Sequence, residues 1–383
     1  MEKLKLQAAA RGILDEMDAL FEGFFPWLAG QYDPASGGFY YARSSRTISG
    51  LMPDIESTAQ ALNILERCGL LGAMPAEMKK RMVQFFQNKQ DPATGYFYDA
   101  NAHMRDDEVM VARAISYSTG ALRKLGSQPL YELPYDAAEA PAYMESPDTY
   151  IAWLRSVDLS NSWRGCDRMS TSCVYVRQLT PLERQAAYLE AAFPFFEEIQ
   201  DKVTGLWGEG SRYERISGTF KLHLFYDQFD VPLPRENNIY ASLLECLRSD
   251  EAGDMCYIRN PIHLLSYMKL SVPDAELVEI LRITCDNMRR LLREDGGFSR
   301  ELAHSPSAPN VAQVKSGGSY PNMPRPVHIG RGLVEGDMNA GTQAMLIRSV
   351  CYRLAGRGEP DWGLSARDFY RDVQERGENE RCL

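Results

Sequence analysis

A turn-like motif recurs along this chain, and its recurrence constrains the possible folds more than any other feature. Its fullest form is Gln-Asp-Pro-Ala-Thr-Gly-Tyr-Phe. Complete or shortened copies of it occupy residues 31–39, 90–97, 200–207 and 294–298. Gly38 lies 57 residues before Gly95, and Gly205 lies 110 residues after Gly95, which is about two such steps. A recurrence of this length indicates an architecture of repeated supersecondary units.

The residue types of the motif predict a tight turn with an aromatic anchor. Asp-Pro fixes the backbone at the start of the turn, and glycine permits the positive φ that closes it. The aromatic residue after the glycine is then expected to anchor the turn on the body of the protein. Apolar residues at helical spacing flank each copy, so the repeating unit is predicted to be helix, anchored turn, helix.

Helical periodicity continues along the chain and predicts twelve main helices in six consecutive pairs. The pairs are 8–28 with 53–68, 75–89 with 105–125, 148–156 with 160–178, 180–199 with 214–229, 235–248 with 257–269, and 273–293 with 335–355. Small residues such as Ser57, Ala59 and Gly341 are frequent in the second helix of a pair. Helices with small residues can converge around an axis. This favours an array of helical pairs that closes into a ring over one that forms a straight superhelix.

The predicted fold class is therefore all-α, an (α/α)6 toroid of six helical hairpins. We expect one domain over residues 1–383, with a long loop at 299–334 and a polar C-terminal tail from about residue 357. Length alone would suggest two or three domains, but a repeat array takes precedence over that estimate.

The composition of the chain limits its expected cellular location and its expected binding partners. No run of eighteen apolar residues predicts a membrane span, and the N-terminus lacks the features of a signal peptide, so a cytoplasmic location is expected. The formal net charge of −10 argues against nucleic acid and anionic membranes as partners. The eight cysteines are scattered, and several lie on apolar helical faces, which is typical of reduced, buried thiols. A small molecule or an oligosaccharide remains as the expected partner, and the oligomeric state is open.

The Gln-Asp-Pro-x-Thr-Gly-aromatic turns resemble the repeats of the terpenoid cyclase and protein prenyltransferase toroid superfamily. They are also similar to turns in six-hairpin glycosidases, which share that architecture. The resemblance covers most of the chain and implies the toroidal fold. It leaves the reaction open, because function depends on the site and not on the fold.

In such a toroid the second helices of all six pairs begin at one end, and the residues that open them face a common funnel. The candidate substrate-binding residues there are Tyr40, Arg43, Asp106, Asp107, Trp163, Arg164, Arg168, Trp207, Tyr213, Tyr257, Arg259, Asn260, His328 and Asn339. Aromatic rings in this set suit stacking against sugars, and the polar groups suit a hydroxylated substrate. Two simpler roles compete with binding. Acids in a first helical turn cap the helix, and aromatics after a turn glycine anchor it.

The candidate catalytic residues are two pairs of carboxylates, Asp54 with Glu56 and Glu335 with Asp337. They open the first and last second-position helices, which become neighbours if the toroid closes. Residues two apart do not share a helix face, so one member of each pair is expected to cap and the other to point inward. Carboxylates across this seam suit acid/base chemistry at a glycosidic bond without a cofactor. The leading prediction is a glycoside hydrolase or a lyase.

Three alternatives stay open. The segment from Asp254 to Tyr257, with Cys256 in it, resembles the zinc segment of protein prenyltransferase β subunits. The expected third ligand is missing, however, because residues 335–355 contain no histidine. An acid-initiated terpenoid cyclase using the acids at 106–108 is the second alternative, and a toroid that binds a ligand without turnover is the third.

The long loop carries two further expectations. Gly332 and Gly336, at its end, would allow close backbone approach to a ligand. The run at residues 316–328 is predicted to form a lid hinged at Gly317 and Gly318, from which Arg325 and His328 could reach the ligand. A flexible excursion without a role is the alternative.

Overall fold

The computed structural model describes residues 2–47, 50–134, 141–178, 180–311, 319 and 323–379. Over these ranges the chain is helical, and extended segments meet only as isolated bridges, so the all-α prediction is confirmed. The α-helices in chain order are α1 Glu2–Ala19, α2 Phe24–Ala29, α3 Ile55–Arg67, α4 Ala76–Gln87, α5 Glu108–Lys124, α6 Pro147–Ser156, α7 Ser162–Thr171, α8 Cys173–Gln178, α9 Leu182–Ile199, α10 Arg212–Gln228, α11 Glu236–Ser249, α12 Met255–Tyr267, α13 Asp274–Leu291, α14 Met338–Leu354 and α15 Ala366–Asn379.

The helices lie close to their predicted positions, with three differences. The first predicted helix is two helices, α1 and α2, separated at residues 20–23. The second helix of the third pair is likewise divided at Ser172 into α7 and α8. The segment expected to be a polar tail contains α15, whose side chains Phe369, Tyr370 and Val373 are buried. Three apolar residues within a mostly charged segment were too weak a periodic signal to predict this helix.

The chain forms two compact units. The first contains Met1–Leu6, Ala138–Ala252 and Cys256–Ile283, and the second contains Gln7–Ala137, Gly253–Met255 and Thr284–Leu383. The single-domain organisation stays a prediction.

In the first unit the second-position helices approach closely through small residues. A Cβ atom on Gly218 of α10 would lie 1.9 Å from Oγ of Ser162 on α7, so no larger residue fits there. On the other side of α10, Asn260 of α12 donates from Nδ2 to Oγ of Ser217 at 2.9 Å. The helices α7, α10 and α12 are thus neighbours in that order.

In the second unit the corresponding helices are α14, α3 and α5, with α3 in the middle. Asn339 of α14 donates to Glu56 of α3 at 3.2 Å. Lys124 of α5 donates to Oδ1 of Asn63 on α3 at 2.6 Å. Gly341 of α14 instead packs against α2, because the aromatic ring of Phe24 would lie 2.9 Å from a Cβ atom at that position.

The recurring motif forms the predicted turn in each long copy. In the second copy Oδ1 of Asp91 accepts from the backbone N–H of Ala93 at 2.9 Å, and the N–H of Gly95 donates to the backbone oxygen of Asp91 at 2.8 Å. Gly95 has φ +72°, which explains the glycine, and Phe97 is fully buried, which confirms the anchor. The motif glutamine has a role that the sequence did not suggest. Gln90 donates from Nε2 to the backbone oxygen of Gly95 at 3.0 Å and so stabilises the turn.

Two of the predictions made from composition can be compared directly with the structure. No helix in the described part of the chain has the length and apolarity needed to cross a membrane. The cysteines of the described residues are free thiols. Of the four predicted on apolar helical faces, Cys246, Cys285 and Cys351 are fully buried and Cys68 is partly buried.

Candidate functional site

The first turns of α3 and α14 meet in the second unit, as predicted for the two pairs of carboxylates. In each pair the aspartate caps its helix. Oδ1 of Asp54 accepts from the N–H of Ser57 at 2.8 Å, and Oδ1 of Asp337 accepts from the N–H of Ala340 at 2.8 Å. The side-chain oxygen thereby satisfies a backbone donor that the helix leaves unpaired. The expectation that one member of each pair caps is confirmed.

Burial changes the pKa of the two capping aspartates. Asp337 has no exposed surface, and burial raises the pKa of its carboxyl to about 6 although Ser305 and the N–H groups of Ala340 and Arg300 donate to it. Burial also raises the pKa of Asp54, to which the nearby Asp99 carboxylate adds. Both carboxyls are thus buried and are held at the start of a helix by the backbone N–H groups that donate to them.

Arg300 is the centre of the site. Its side chain is 5% exposed, and Nε donates to both carboxylate oxygens of Asp254 at 2.9 Å. Nη1 donates to Oδ1 of Asn339 at 2.9 Å, and the backbone N–H of Arg300 donates to Oδ2 of Asp337 at 2.5 Å. A buried guanidinium of this kind is stable only with its charge paired and its donors satisfied, and these contacts do both.

Arg300 is not among the residues predicted from the sequence, although the repeat carries a signal for it. Arg300 stands two residues after the turn aromatic Phe298, and Tyr41 stands in the same place after Phe39. Both residues contact the start of α14, since the backbone oxygen of Tyr41 accepts from the N–H of Met338 at 2.7 Å. Aligning the turn copies beyond their aromatic residues would have selected this position.

Glu56 is the accessible member of the first pair. Its side chain is 20% exposed, and Oε1 accepts from Gln60 at 2.9 Å, from Asn339 at 3.2 Å and from the guanidinium of Arg113, with which it forms an ion pair. Oε2 accepts no hydrogen bond from a described residue. The carboxylate is therefore held in position through one oxygen while the other stays available.

Glu301, next to Arg300, is a further carboxyl that the sequence analysis did not select. Its side chain is 25% exposed. Burial, together with the negative charges of Asp254 and Asp337, raises its pKa to about 7 against the opposing influence of Arg300. Oε2 lies 4.0 Å from Nε2 of His304. A partly exposed carboxyl that keeps its proton near neutral pH has the properties of a general acid.

Glu335 binds a neighbouring segment of the chain, and Gly336 packs closely against another. Oε2 of Glu335 accepts from the N–H of Ser44 at 2.9 Å, and Oε1 accepts from the Ser44 hydroxyl. This carboxylate therefore ties residues 41–47 to the segment that leads into α14. The close approach expected at Gly336 is real, but its partner is the backbone of Gly297, whose Cα would lie 2.5 Å from a Cβ atom.

The other predicted residues of the second unit occupy several environments. Asp107 is buried and caps α5, and its Oδ2 accepts from Nδ2 of Asn310 in the long loop at 3.2 Å. Tyr40 lies beneath the Arg46 guanidinium at 5.6 Å from its ring centre. The exposed members of the set are Asp106, Arg43 and His328.

The remaining predicted residues belong to the first unit, and their contacts there are mostly structural. Trp207 is fully buried and donates from Nε1 to the backbone oxygen of Phe196 at 2.7 Å, so it anchors its turn and has no surface for a ligand. Tyr213 stacks on Tyr257 with ring centres 4.9 Å apart. The buried Asn260 joins α12 to α10 through the bond to Ser217 described above.

Three of the four remaining predicted residues take part in contacts between a cation and an aromatic ring. Lys221 lies over the ring of Trp163 at 4.7 Å, and Arg168 lies over that of Trp153 at 5.9 Å. Arg259 lies over a phenylalanine ring, and Arg164 is a first-turn residue of α7 whose backbone N–H donates to the capping asparagine.

Within the described residues, no group of three or more His, Cys, Asp or Glu side chains could hold a metal ion. Asp254, the first residue of the zinc-like segment, already binds Arg300 through both oxygens. The proposed hinge at Gly317 and Gly318 lies outside the described residues. Comparison of the chain with protein-family models, curated proteins and solved structures finds no match.

Proposed function

We propose that this protein is an enzyme that acts on a carbohydrate, with Glu301 as general acid and Glu56 as the second carboxylate. The observation that carries the proposal is the partly exposed carboxyl of Glu301, whose pKa is raised to about 7 beside Arg300. Two carboxyl groups in environments that treat them differently are the arrangement from which acid and base roles are assigned.

Both carboxylates are fixed to one buried network, which supports their use together. Glu56 accepts from Asn339, Asn339 accepts from Arg300, and Glu301 is the next residue in the chain after Arg300. The network holds the reacting groups on packed elements, and preorganisation of this kind is what catalysis requires.

In the proposed reaction Glu301 protonates the oxygen of the departing sugar. The open Oε2 of Glu56 either activates a water molecule or attacks the anomeric carbon, as in the inverting and retaining modes of glycoside hydrolysis. In a lyase the same carboxylate would remove a proton from the sugar ring. Arg113, which pairs with Glu56, keeps that carboxylate oriented in either reaction.

We further propose the (α/α)6 toroid, with an architecture like that of the terpenoid cyclase and prenyltransferase superfamily and the six-hairpin glycosidases. Two findings support it, the repeated anchored turns and the series of three neighbouring second-position helices within each unit. The proposed enzyme is cytoplasmic and needs no cofactor. An elongated particle in small-angle X-ray scattering would contradict a toroid.

The direct test of the reaction is a panel of oligosaccharides, with new reducing ends and unsaturated products measured for the wild type, Glu301→Gln and Glu56→Gln. Each variant is expected to lose about 10²–10⁴-fold in kcat, the range for removal of a general acid or base. Glu77→Gln is the matched control, because this carboxylate on α4 is exposed and is paired only with Arg81 within the described residues. Activity that survives in both site variants, or no turnover of any glycan, would refute the proposal.

A further inference from the structure

Two segments of the second unit run side by side next to Glu301. The hydroxyl of Ser45 donates to the backbone oxygen of Ile329 at 2.8 Å. A Cβ atom on Gly330 would lie 2.8 Å from the ring of Tyr41, and Glu335 accepts from Ser44 as described above. Residues 41–47 and 329–335 are therefore packed together, and Arg43 lies in the first segment and Arg331 in the second.

These two arginines, Arg43 and Arg331, are exposed. Neither side chain forms a hydrogen bond or an ion pair with any described residue. Arginines elsewhere in the unit, such as Arg113, Arg300 and Arg348, are paired with carboxylates. In a chain with a formal net charge of −10, two unpaired guanidinium groups on adjoining segments give a locally positive surface of the kind that suits an anion.

The segment that carries Arg331 lies close to the proposed general acid through His304. A Cβ atom on Gly332, next to Arg331 in the chain, would lie 3.9 Å from Cδ2 of His304. His304 in turn approaches Glu301 to 4.0 Å. His328, one residue before Ile329, is exposed and contacts Oγ of Ser307 through Nδ1 at 3.2 Å. We call the four residues Arg43, His304, His328 and Arg331 the basic rim.

We propose that the basic rim binds the carboxylate of a uronic acid residue, so that the substrate is an acidic saccharide with its scissile bond at Glu301. Guanidinium groups form two parallel, charge-assisted hydrogen bonds to a carboxylate, whereas a neutral sugar offers them only hydroxyl groups. The nearby carboxylate of Glu335 does not compete for the rim, because the backbone and hydroxyl of Ser44 occupy it. This inference rests on the proposed function and specifies its substrate class.

The test compares ligands that differ only in charge. Isothermal titration calorimetry of the full-length protein is carried out with a galacturonate hexamer and with the same hexamer fully methyl-esterified. The acidic hexamer is expected to bind at least about tenfold more tightly, a difference equivalent to one charge-assisted contact of about 1.4 kcal/mol. Equal affinity for the two hexamers would overturn the proposal.

Variants locate the effect on the rim. Arg43→Gln and Arg331→Gln are each expected to weaken binding of the acidic hexamer about tenfold while leaving the ester unaffected. Arg123→Gln is the matched control, since Arg123 is an exposed arginine near the end of α5 and its side chain pairs with no described residue. A loss with Arg123→Gln as large as that with the rim variants would refute a specific site. Tighter binding of a sulfated neutral hexamer would also overturn the uronate assignment.

Chromatography of the same mixtures separates this inference from the proposed function. Arginine-dependent binding of the acidic hexamer without any product would support the rim and refute catalysis. Turnover of neutral glycans with no preference for charge would support catalysis and refute the rim.

Discussion

Arg300 offers the sharpest test of how this site is held together. Its guanidinium and the carboxylate of Asp254 are 5% and 7% exposed, and Nε lies 2.9 Å from both carboxylate oxygens. Replacing Arg300 by Met keeps most of the side-chain volume but leaves the Asp254 carboxylate buried without its cation. Breaking a buried pair on one side in this way costs about 3–5 kcal/mol.

The destabilisation of Arg300→Met also includes a lost hydrogen bond, and a double variant separates the effect of the unpaired charge from it. Nη1 of Arg300 also donates to Asn339, a bond worth about 0.5–1.5 kcal/mol in net stability. Arg300→Met combined with Asp254→Leu removes both charges and so avoids the unpaired buried ion. The double variant is therefore expected to be more stable than Arg300→Met alone, because paired charges contribute little once their desolvation is counted.

Urea unfolding followed by circular dichroism at 222 nm measures these differences. With an m-value of about 3 kcal/mol per M, a loss of about 3–5 kcal/mol lowers the midpoint of Arg300→Met by about 1–1.7 M. Arg123→Met, on the exposed surface of α5, is the control and is expected to change stability by less than about 0.5 kcal/mol.

The two variants together distinguish a buried charge from a packing defect. A loss below about 1 kcal/mol for Arg300→Met, or a double variant that is no more stable than Arg300→Met alone, would refute the argument that an ion pair holds the site.

Two further predictions concern the turn and the helix cap. The Gly95→Ala variant would hold an alanine at φ +72°, with its Cβ atom 2.1 Å from the backbone oxygen of Glu132, so the melting temperature of this variant should fall. Gly120→Ala on α5 has open space around it and should be neutral or stabilising. Burial raises the pKa of Asp337 from 3.8 to about 6, so its contribution to stability is fully present below pH 3.8 and is lost as the pH rises through 6. The stability of the wild type relative to Asp337→Asn should thus fall by about 3 kcal/mol between pH 3.5 and pH 7 in urea titrations, and a constant difference would refute the shift.

Local features of the sequence were sufficient to predict most of the helices and the turns between them. Helical periodicity needs only residues three and four apart, and the turn motif closes within eight residues through Asp91, Gly95 and Phe97. The capping of α3 and α14 by Asp54 and Asp337 was predictable for the same reason, since a cap bonds to the third residue after it. The helix α15 was missed because its few apolar residues are buried only by tertiary packing.

The candidate site depended on tertiary structure. Glu56 and Asn339 are 283 residues apart, Ser44 and Glu335 are 291 apart, and no local pattern specifies that they touch. The proton affinity of Glu301 likewise depends on burial and on charges that distant segments bring beside it. The sequence by itself determined most of the helices, the turns between them and which acids begin helices, because those properties arise within a few residues. Which carboxylate is buried, which is exposed and which is paired with Arg300 was decided only when the segments packed together, because desolvation and charge pairing act through space.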